Sequence, residues 1–346
     1  MQEMTSRERV LAALNLKRPD RVPLGSFATH VGGKIAGISV KEYATDGEKM
    51  AIGQRALFEK AGFDLLFPFS HVGMYAEGWG SKVRYMEAEV APSISEYFLK
   101  EAEDWKRVVP FKPEEVPGVQ VVVKAIRLLK EWLGDQAFVL GVMFSPLTSA
   151  THVAPLGTVL KHVIRQQDLL STGLEVITES LIRQAAAYEE AGADGIFLAI
   201  TRATKEIVTE KQYENVARKW DEKLLNRIHV PVIAHICGRD PMLDMVVDFP
   251  NVKALNWWDR GTSTSLREAK GKWGSRTCLA AGIDQTRTIL MGSPEDVEKE
   301  AKDAMEQAAE GGGFILFSGC DLPISTPLEN LQAMSKSAKQ YGKYPS

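Results

Sequence analysis

Apolar positions along the chain follow two spacings that take turns. Short apolar runs at residues 22–28, 64–70, 137–145, 194–200, 230–237, 252–258, 277–283 and 314–318 read as strands, most of them buried on both faces. Between them lie stretches with helical spacing: 47–61, 119–133, 156–166 with a long helix running on to Ala191, 209–226, 241–248 and 265–272. Local chemistry marks several ends. Thr5-Ser-Arg-Glu8 has the form of a capping box and predicts an amino-terminal helix, ended by Arg18-Pro-Asp-Arg-Val-Pro23. Ser293-Pro-Glu-Asp296 opens a helix with a capping serine, a first-turn proline and first-turn acids, and Gly311-Gly-Gly313 stops it. Thr326-Pro-Leu-Glu329 begins the last helix. Residues 82–99 break the rhythm, because their alternating pieces 82–85 and 95–99 predict a small antiparallel insertion.

Eight strands, each followed by helix, predict an α/β fold in which a parallel sheet closes into a (β/α)8 TIM barrel. An open doubly wound sheet is the alternative. The 346 residues exceed the roughly 250 of a plain barrel by about what the amino-terminal helical extension and the β insertion after the second strand require. Neither an internal repeat nor a linker divides the chain, so one domain over residues 1–346 is expected.

Composition narrows the function classes. With 45% hydrophobic and 25% charged residues the chain is ordinary globular protein, and a net charge of -3 gives no field for nucleic acid or an anionic membrane. No apolar run reaches membrane-spanning length, and charges occupy the start of the chain, so a cytoplasmic protein is expected. The cysteines number three and lack the spacing of a disulfide framework. Thiols free to act as ligands or nucleophiles fit a reducing compartment.

Candidate chemistry gathers where a barrel would put it. In Pro231-Val-Ile-Ala-His-Ile-Cys-Gly238, alternation sets His235 and Cys237 on one face at the carboxyl end of a strand. Cys320, in Phe317-Ser-Gly-Cys-Asp-Leu-Pro323, follows the last strand and emerges on the same rim, whereas Cys278 begins its strand and lies at the other end. One imidazole and two thiolates suit Zn²⁺ and leave a fourth position open. Read from the residues alone, this zinc site and a set of ordinary core residues stand level, since the spacing is no finger or ribbon signature. Other residues predicted at strand ends include His71, His152 in a loop after the third strand, Asp259 and Asp284 as acid–base groups. Phe69, Arg202, Trp257 and Arg260 are the candidates for substrate binding. Any one of these alone is more often a solvated loop residue or half of a local ion pair. Trp257 and Trp258 are adjacent, so only one can face inward. Phe67, Phe69, Tyr75, Trp79 and Phe144 are mainly core, with some of them available as an aromatic wall.

The motifs together resemble the uroporphyrinogen decarboxylase superfamily over nearly the whole chain. The resemblance rests on Thr5-Ser-Arg-Glu-Arg-Val-Leu-Ala-Ala-Leu14 with Arg18-Pro-Asp-Arg-Val-Pro23, on His235-Ile-Cys-Gly238, and on Gly319-Cys-Asp-Leu-Pro323 with Thr326-Pro-Leu-Glu-Asn330. The superfamily holds metal-free porphyrinogen decarboxylases and zinc methyltransferases that exchange methyl groups with a corrinoid protein. Decarboxylases carry arginines where this chain has Ser26-Phe-Ala-Thr-His30, an aspartate at the place of His71, a tyrosine near His152 and a histidine at Cys320. His235, Cys237 and Cys320 instead match the zinc ligands of the methyltransferase branch. The resemblance thus implies Zn²⁺ on those residues, a corrinoid (cobalamin) carried by a partner protein, and a small methyl donor or acceptor. Zinc would activate a thiol as thiolate or polarise the oxygen of a methoxylated compound, and the aromatic residues lean towards a methoxyarene. Asn256-Trp-Trp-Asp-Arg260 and Ile200-Thr-Arg-Ala-Thr204 depart from the pattern of the enzymes acting on coenzyme M. The rivals are a metal-free decarboxylase or lyase of a porphyrinogen-like substrate and a non-catalytic module that binds the corrinoid partner. A homodimer is compatible with either branch.

Overall fold

A computed structural model describes residues 3–86 and 90–344. Its centre is a seven-stranded sheet, every neighbouring pair parallel, in the order β1 (Leu65–Leu66), β4 (Phe138–Phe144), β5 (Gly195–Ala199), β6 (Val232–Ile236), β7 (Val252–Trp257), β8 (Cys278–Ile283) and β9 (Phe314–Ser318). The strands from β4 onward are almost wholly buried, as near-continuous Val, Ile, Leu and Ala runs require when helices cover the outside and side chains fill the inside. Strand order follows chain order, so each helix between strands is a crossover on the outer face.

The predicted first strand, residues 22–28, forms only a bridge. Leu24 pairs in parallel with Leu316 of β9, where Leu316 N–H donates to Pro23 O (2.9 Å) and Gly25 N–H to Leu316 O (3.1 Å). On its other side Asp64 N–H donates to Leu24 O (2.9 Å). This short segment therefore closes β9 onto β1 and completes a TIM-barrel-like fold. Pro23 lacks the N–H that a longer ladder would need, which keeps the segment short. The second predicted strand, 64–70, likewise shrinks to Leu65–Leu66 ahead of Pro68.

Most other expectations differ only at element ends. The capping box at Thr5 and Glu8 forms and starts helix Ser6–Leu14, and Ser293 with Asp296 caps helix Pro294–Ala308 in the same way. The insertion after β1 is an antiparallel hairpin of β2 (Lys82–Arg84) and β3 (Ser93–Glu96); residues 87–89 of the predicted insertion lie outside the described residues. One helix stands where the sequence predicts a loop. Pro146–Val153 follows β4 directly, and all eight of its residues are buried. A helix enclosed on every side shows no apolar stripe, and Ser145, Thr148, Ser149 and Thr151 give it the composition of a loop.

Below the sheet, the amino-terminal residues lock the short closing segment in place. Asp64 accepts hydrogen bonds from Ser6 Oγ (2.6 Å), Arg9 Nη1 (2.8 Å), Arg21 Nη1 (2.8 Å) and the Leu24 amide (2.9 Å). Arg9 also pairs with Asp20, which its guanidinium and two backbone amides hold below the usual carboxylate range against the opposing pull of burial. The Thr5–Leu14 and Arg18–Pro23 motifs thus serve the fold.

Candidate metal centre at the barrel mouth

His235, near the end of β6, and Cys237, just beyond it, meet Cys320 just beyond β9. Their donor atoms lie within 4.8 Å of one another: Cys237 Sγ is 3.8 Å from Cys320 Sγ, and Cys320 Sγ is 3.7 Å from His235 Nε2. Tetrahedral zinc, with Zn–S of about 2.3 Å and Zn–N of about 2.05 Å, requires separations of about 3.8 Å and 3.6 Å along those edges. The donor set therefore fits zinc in both chemistry and spacing. Among the described residues it is the one such cluster of His, Cys, Asp and Glu.

Register explains how the imidazole is aimed. His235 lies directly beside Asn256 of β7, and Asn256 Nδ2 donates to Ala280 O (2.6 Å) and Ser318 O (3.0 Å). With its amide nitrogen committed, Asn256 turns Oδ1 to His235 Nδ1 at 2.6 Å, so that nitrogen carries the proton and Nε2 keeps its lone pair towards the thiols. The ring also stacks on Phe197, centroids 5.5 Å apart. The sequence signal for Asn256 is one polar residue inside the apolar Ala-Leu-Asn-Trp run.

Two glycines bring the thiols in. Gly238 has φ +115°, and a Cβ there would meet Thr204 Oγ1 and Glu206 Oε2 at 2.8 Å. Gly319 lies so close to Trp258 that a Cβ would sit 2.7 Å from its ring. The thiols share a proton. A hydrogen bond from Cys320, with help from His235, brings Cys237 down to about 4, while the same bond and burial drive Cys320 well up. Two thiolates this close need a cation between them. Cys278 is fully buried in β8, and burial pushes it up to about 12.

The remaining candidates divide into two groups. His71, His152, Phe69 and Arg202 follow β1, β4 and β5 around the same rim. His152 lies on helix Pro146–Val153, with Nδ1 2.6 Å from Tyr75 Oη, and burial followed by Arg202 holds it down to about 3. His71 Nε2 lies 3.0 Å from Tyr85 Oη, and burial lowers it to about 3. Phe69 packs on Phe27 and Phe144. The Arg202 guanidinium donates to Thr151 Oγ1 (3.0 Å) and pairs with no carboxylate among the described residues; burial lowers its pKa.

Asp259, Arg260, Asp284 and Trp257 engage other partners. Asp259 accepts from the Gly282 amide (3.0 Å), and burial raises it to about 6. Arg260 donates to Gly282 O (2.9 Å) and reaches Asp303 (2.6 Å) on helix Pro294–Ala308, outside the sheet. Asp284 caps its own turn through the amides of Thr286 and Arg287, and despite burial these bonds hold it down to about 2. Trp257 is fully buried and donates to Thr264 O (3.2 Å), whereas Trp258, bonded to Asp284, is the tryptophan that meets Gly319 beside Cys320.

Residues 5–341 match the model of the family described as uroporphyrinogen decarboxylase (URO-D). The chain belongs to the uroporphyrinogen decarboxylase family. Within that family it is 27% identical over 352 residues to methylcobamide:CoM methyltransferase MtbA of Methanosarcina mazei, and 28% identical over 349 residues to methylcobamide:CoM methyltransferase MtaA of Methanosarcina barkeri. Each alignment covers 99% of both chains. A solved structure of a methyltransferase from Methanosarcina mazei superposes with a TM-score of 0.89 at 26% identity, over 98% of this chain and 99% of that one.

Proposed function

We propose that this family member is a zinc-dependent methyltransferase that moves a methyl group between a small substrate and the cobalt of a corrinoid partner protein. The observation that carries it is the spacing of His235, Cys237 and Cys320, with His235 fixed by Asn256 so that Nε2 faces the thiols. The full-length relatives named for methylcobamide chemistry point the same way. When bound, zinc supplies Lewis acidity that ionises a thiol or polarises an ether oxygen. Phe27, Phe69 and Phe144 give the substrate an apolar face and exclude water, and Arg202, with no carboxylate partner among the described residues, offers a positive charge to an anionic end. For a methyl ether, a reduced corrinoid on the partner would supply the electron pair that takes up the methyl carbon, and the ether oxygen would keep the pair of the broken O–CH3 bond and take a proton. Such an enzyme works in the cytoplasm, beside its corrinoid protein.

Plasma mass spectrometry of the purified chain tests this reading. About one zinc per chain is expected, lost in both Cys237→Ala and Cys320→Ala, together with methyl transfer from methoxyarenes or to thiols in the presence of a corrinoid protein. A chain that neither carries nor takes up zinc would overturn it and favour a metal-free lyase.

A further inference from the structure

The two sulfurs of the metal trio are also placed for chemistry with each other. Cys237 Sγ and Cys320 Sγ lie 3.8 Å apart. A disulfide bond is about 2.05 Å long, so each sulfur has only to move by about 0.9 Å to make one. Both side chains are half-buried at the barrel mouth, within reach of a small oxidant, whereas Cys278 is fully buried in β8. Cys278 begins its strand and the other two follow theirs, so the height of the barrel separates it from the pair. Of the three cysteines, one pairing alone is open to the folded chain. It is the pairing that would take both sulfur ligands from a metal.

Backbone bonds set this approach. In the sheet β7 and β8 stand between β6 and β9, and in the chain the two cysteines are 83 positions apart. Beside Cys320, Gly319 N–H donates to Ile283 O at the end of β8 (2.9 Å). The segment after Cys237 is tied to the loop after β5: Arg239 N–H donates to Glu206 Oε2, Thr204 Oγ1 to Asp240 O (3.0 Å) and Met242 N–H to Ala203 O (2.9 Å). None of these bonds involves a thiol or an imidazole. The cysteines are therefore carried to one another by the frame of the barrel, and the last step is left to their side chains.

We propose that Cys237 and Cys320 are a redox-active pair, which hydrogen peroxide converts into an intramolecular disulfide when zinc is not bound. One thiolate attacks an oxygen of the peroxide; the O–O bond breaks, its electron pair leaves on the other oxygen, and a proton makes that oxygen water. The second thiolate attacks the sulfenic sulfur so formed, the S–O bond breaks, and hydroxide takes a proton to leave as a second water. The two thiols thus lose two electrons and two protons, and the peroxide is reduced to two waters. His235 is then the one donor left in the trio, too few to hold zinc. A small thiol in excess reverses the bridge by exchange, so oxidation switches metal binding off and reduction restores it.

Treatment of the full chain, stripped of metal by a chelator, with equimolar hydrogen peroxide tests this. Thiols counted after unfolding are expected to fall from three per chain to that of Cys278 alone, with the mass lower by about 2 Da. Digestion should yield a peptide that joins Cys237 to Cys320, while Cys278 takes an alkylating reagent. Zinc uptake should vanish with the bridge and return with dithiothreitol, and chain loaded with zinc beforehand should react about tenfold or more slowly. In Cys320→Ala, a sulfenic acid on Cys237, trapped by dimedone, should replace the bridge. Three thiols retained, oxygen added without a bridge, or a bridge that involves Cys278 or a second chain would overturn the proposal. Zinc content separates the two readings: a parent that neither carries nor takes up zinc fails the earlier one and leaves the bridge to decide this one, and a zinc-binding parent whose stripped form makes no bridge fails this one alone.

Discussion

The two ends of this barrel use polar side chains in opposite ways. At the amino-terminal end Asp64, buried beneath the sheet, meets Arg9, Arg21, Ser6 and a backbone amide, and leaves no oxygen without a donor. At the carboxyl end two thiols crowd one another, and among the described residues Arg202 lacks an acid and His71 Nδ1 has no partner. A satisfied network fixes one arrangement and has nothing left to offer a ligand. An unsatisfied one costs stability until something fills it, which is how a binding site differs from a structural ion pair.

Removing a member at the satisfied end should have the largest effect. Asp64→Ala takes from Arg21 its buried acid, leaves Arg9 to Asp20 alone and frees the closing segment, and should cost about 3–5 kcal/mol. Denaturant unfolding measures this; a loss below about 1 kcal/mol would mean that the network is ornamental and the comparison false. At the other end, Asn256→Ala should weaken zinc binding about 10- to 100-fold by freeing His235 to turn. Chelator competition reads that affinity, and parent-like binding would deny Asn256 its orienting role.

Acid should single out the open end. His30, His71 and His152 have depressed values of about 4, 3 and 3, against about 6.5 when unfolded. Between those limits the unfolded chain binds more protons than the folded one, so stability falls as pH drops below about 6.5. Each histidine adds a slope of about 1.4 kcal/mol per pH unit. His152→Phe should remove one proton's worth of that slope between pH 6 and 4 relative to the parent; an unchanged slope would show that its ring is already protonated or solvated.

What the sequence made legible follows the same division. Apolar period and capping chemistry are local, so the alternation of β5 to β9 with helices, the Thr5 and Ser293 caps and the convergence of His235, Cys237 and Cys320 on one rim could all be read. Side-chain direction is not local. Asp259, Arg260 and Asp284 stand at strand ends, and nothing local in the sequence tells that they bond to Gly282, to Asp303 and to the amides after Asp284 with Trp258. His152 was placed in a loop because its helix is buried all round, and nothing short of the packed barrel distinguishes Trp258 from Trp257.

The smallest effect sharpens the comparison most. Cys320 is only part-buried, and beyond the trio its thiol meets only the Asp321 backbone, so Cys320→Ala in metal-free protein should shift stability by about 0.5 kcal/mol or less, while zinc is lost altogether. Removing Cys320 also takes away the hydrogen bond that holds Cys237 below the usual thiol range. Metal-free parent and variant should therefore unfold at nearly the same denaturant concentration, and only added zinc should separate them, by stabilising the parent alone. A variant that unfolds several kcal/mol earlier without metal would make Cys320 part of the core, and the two ends of the barrel would then differ less than their hydrogen bonds indicate.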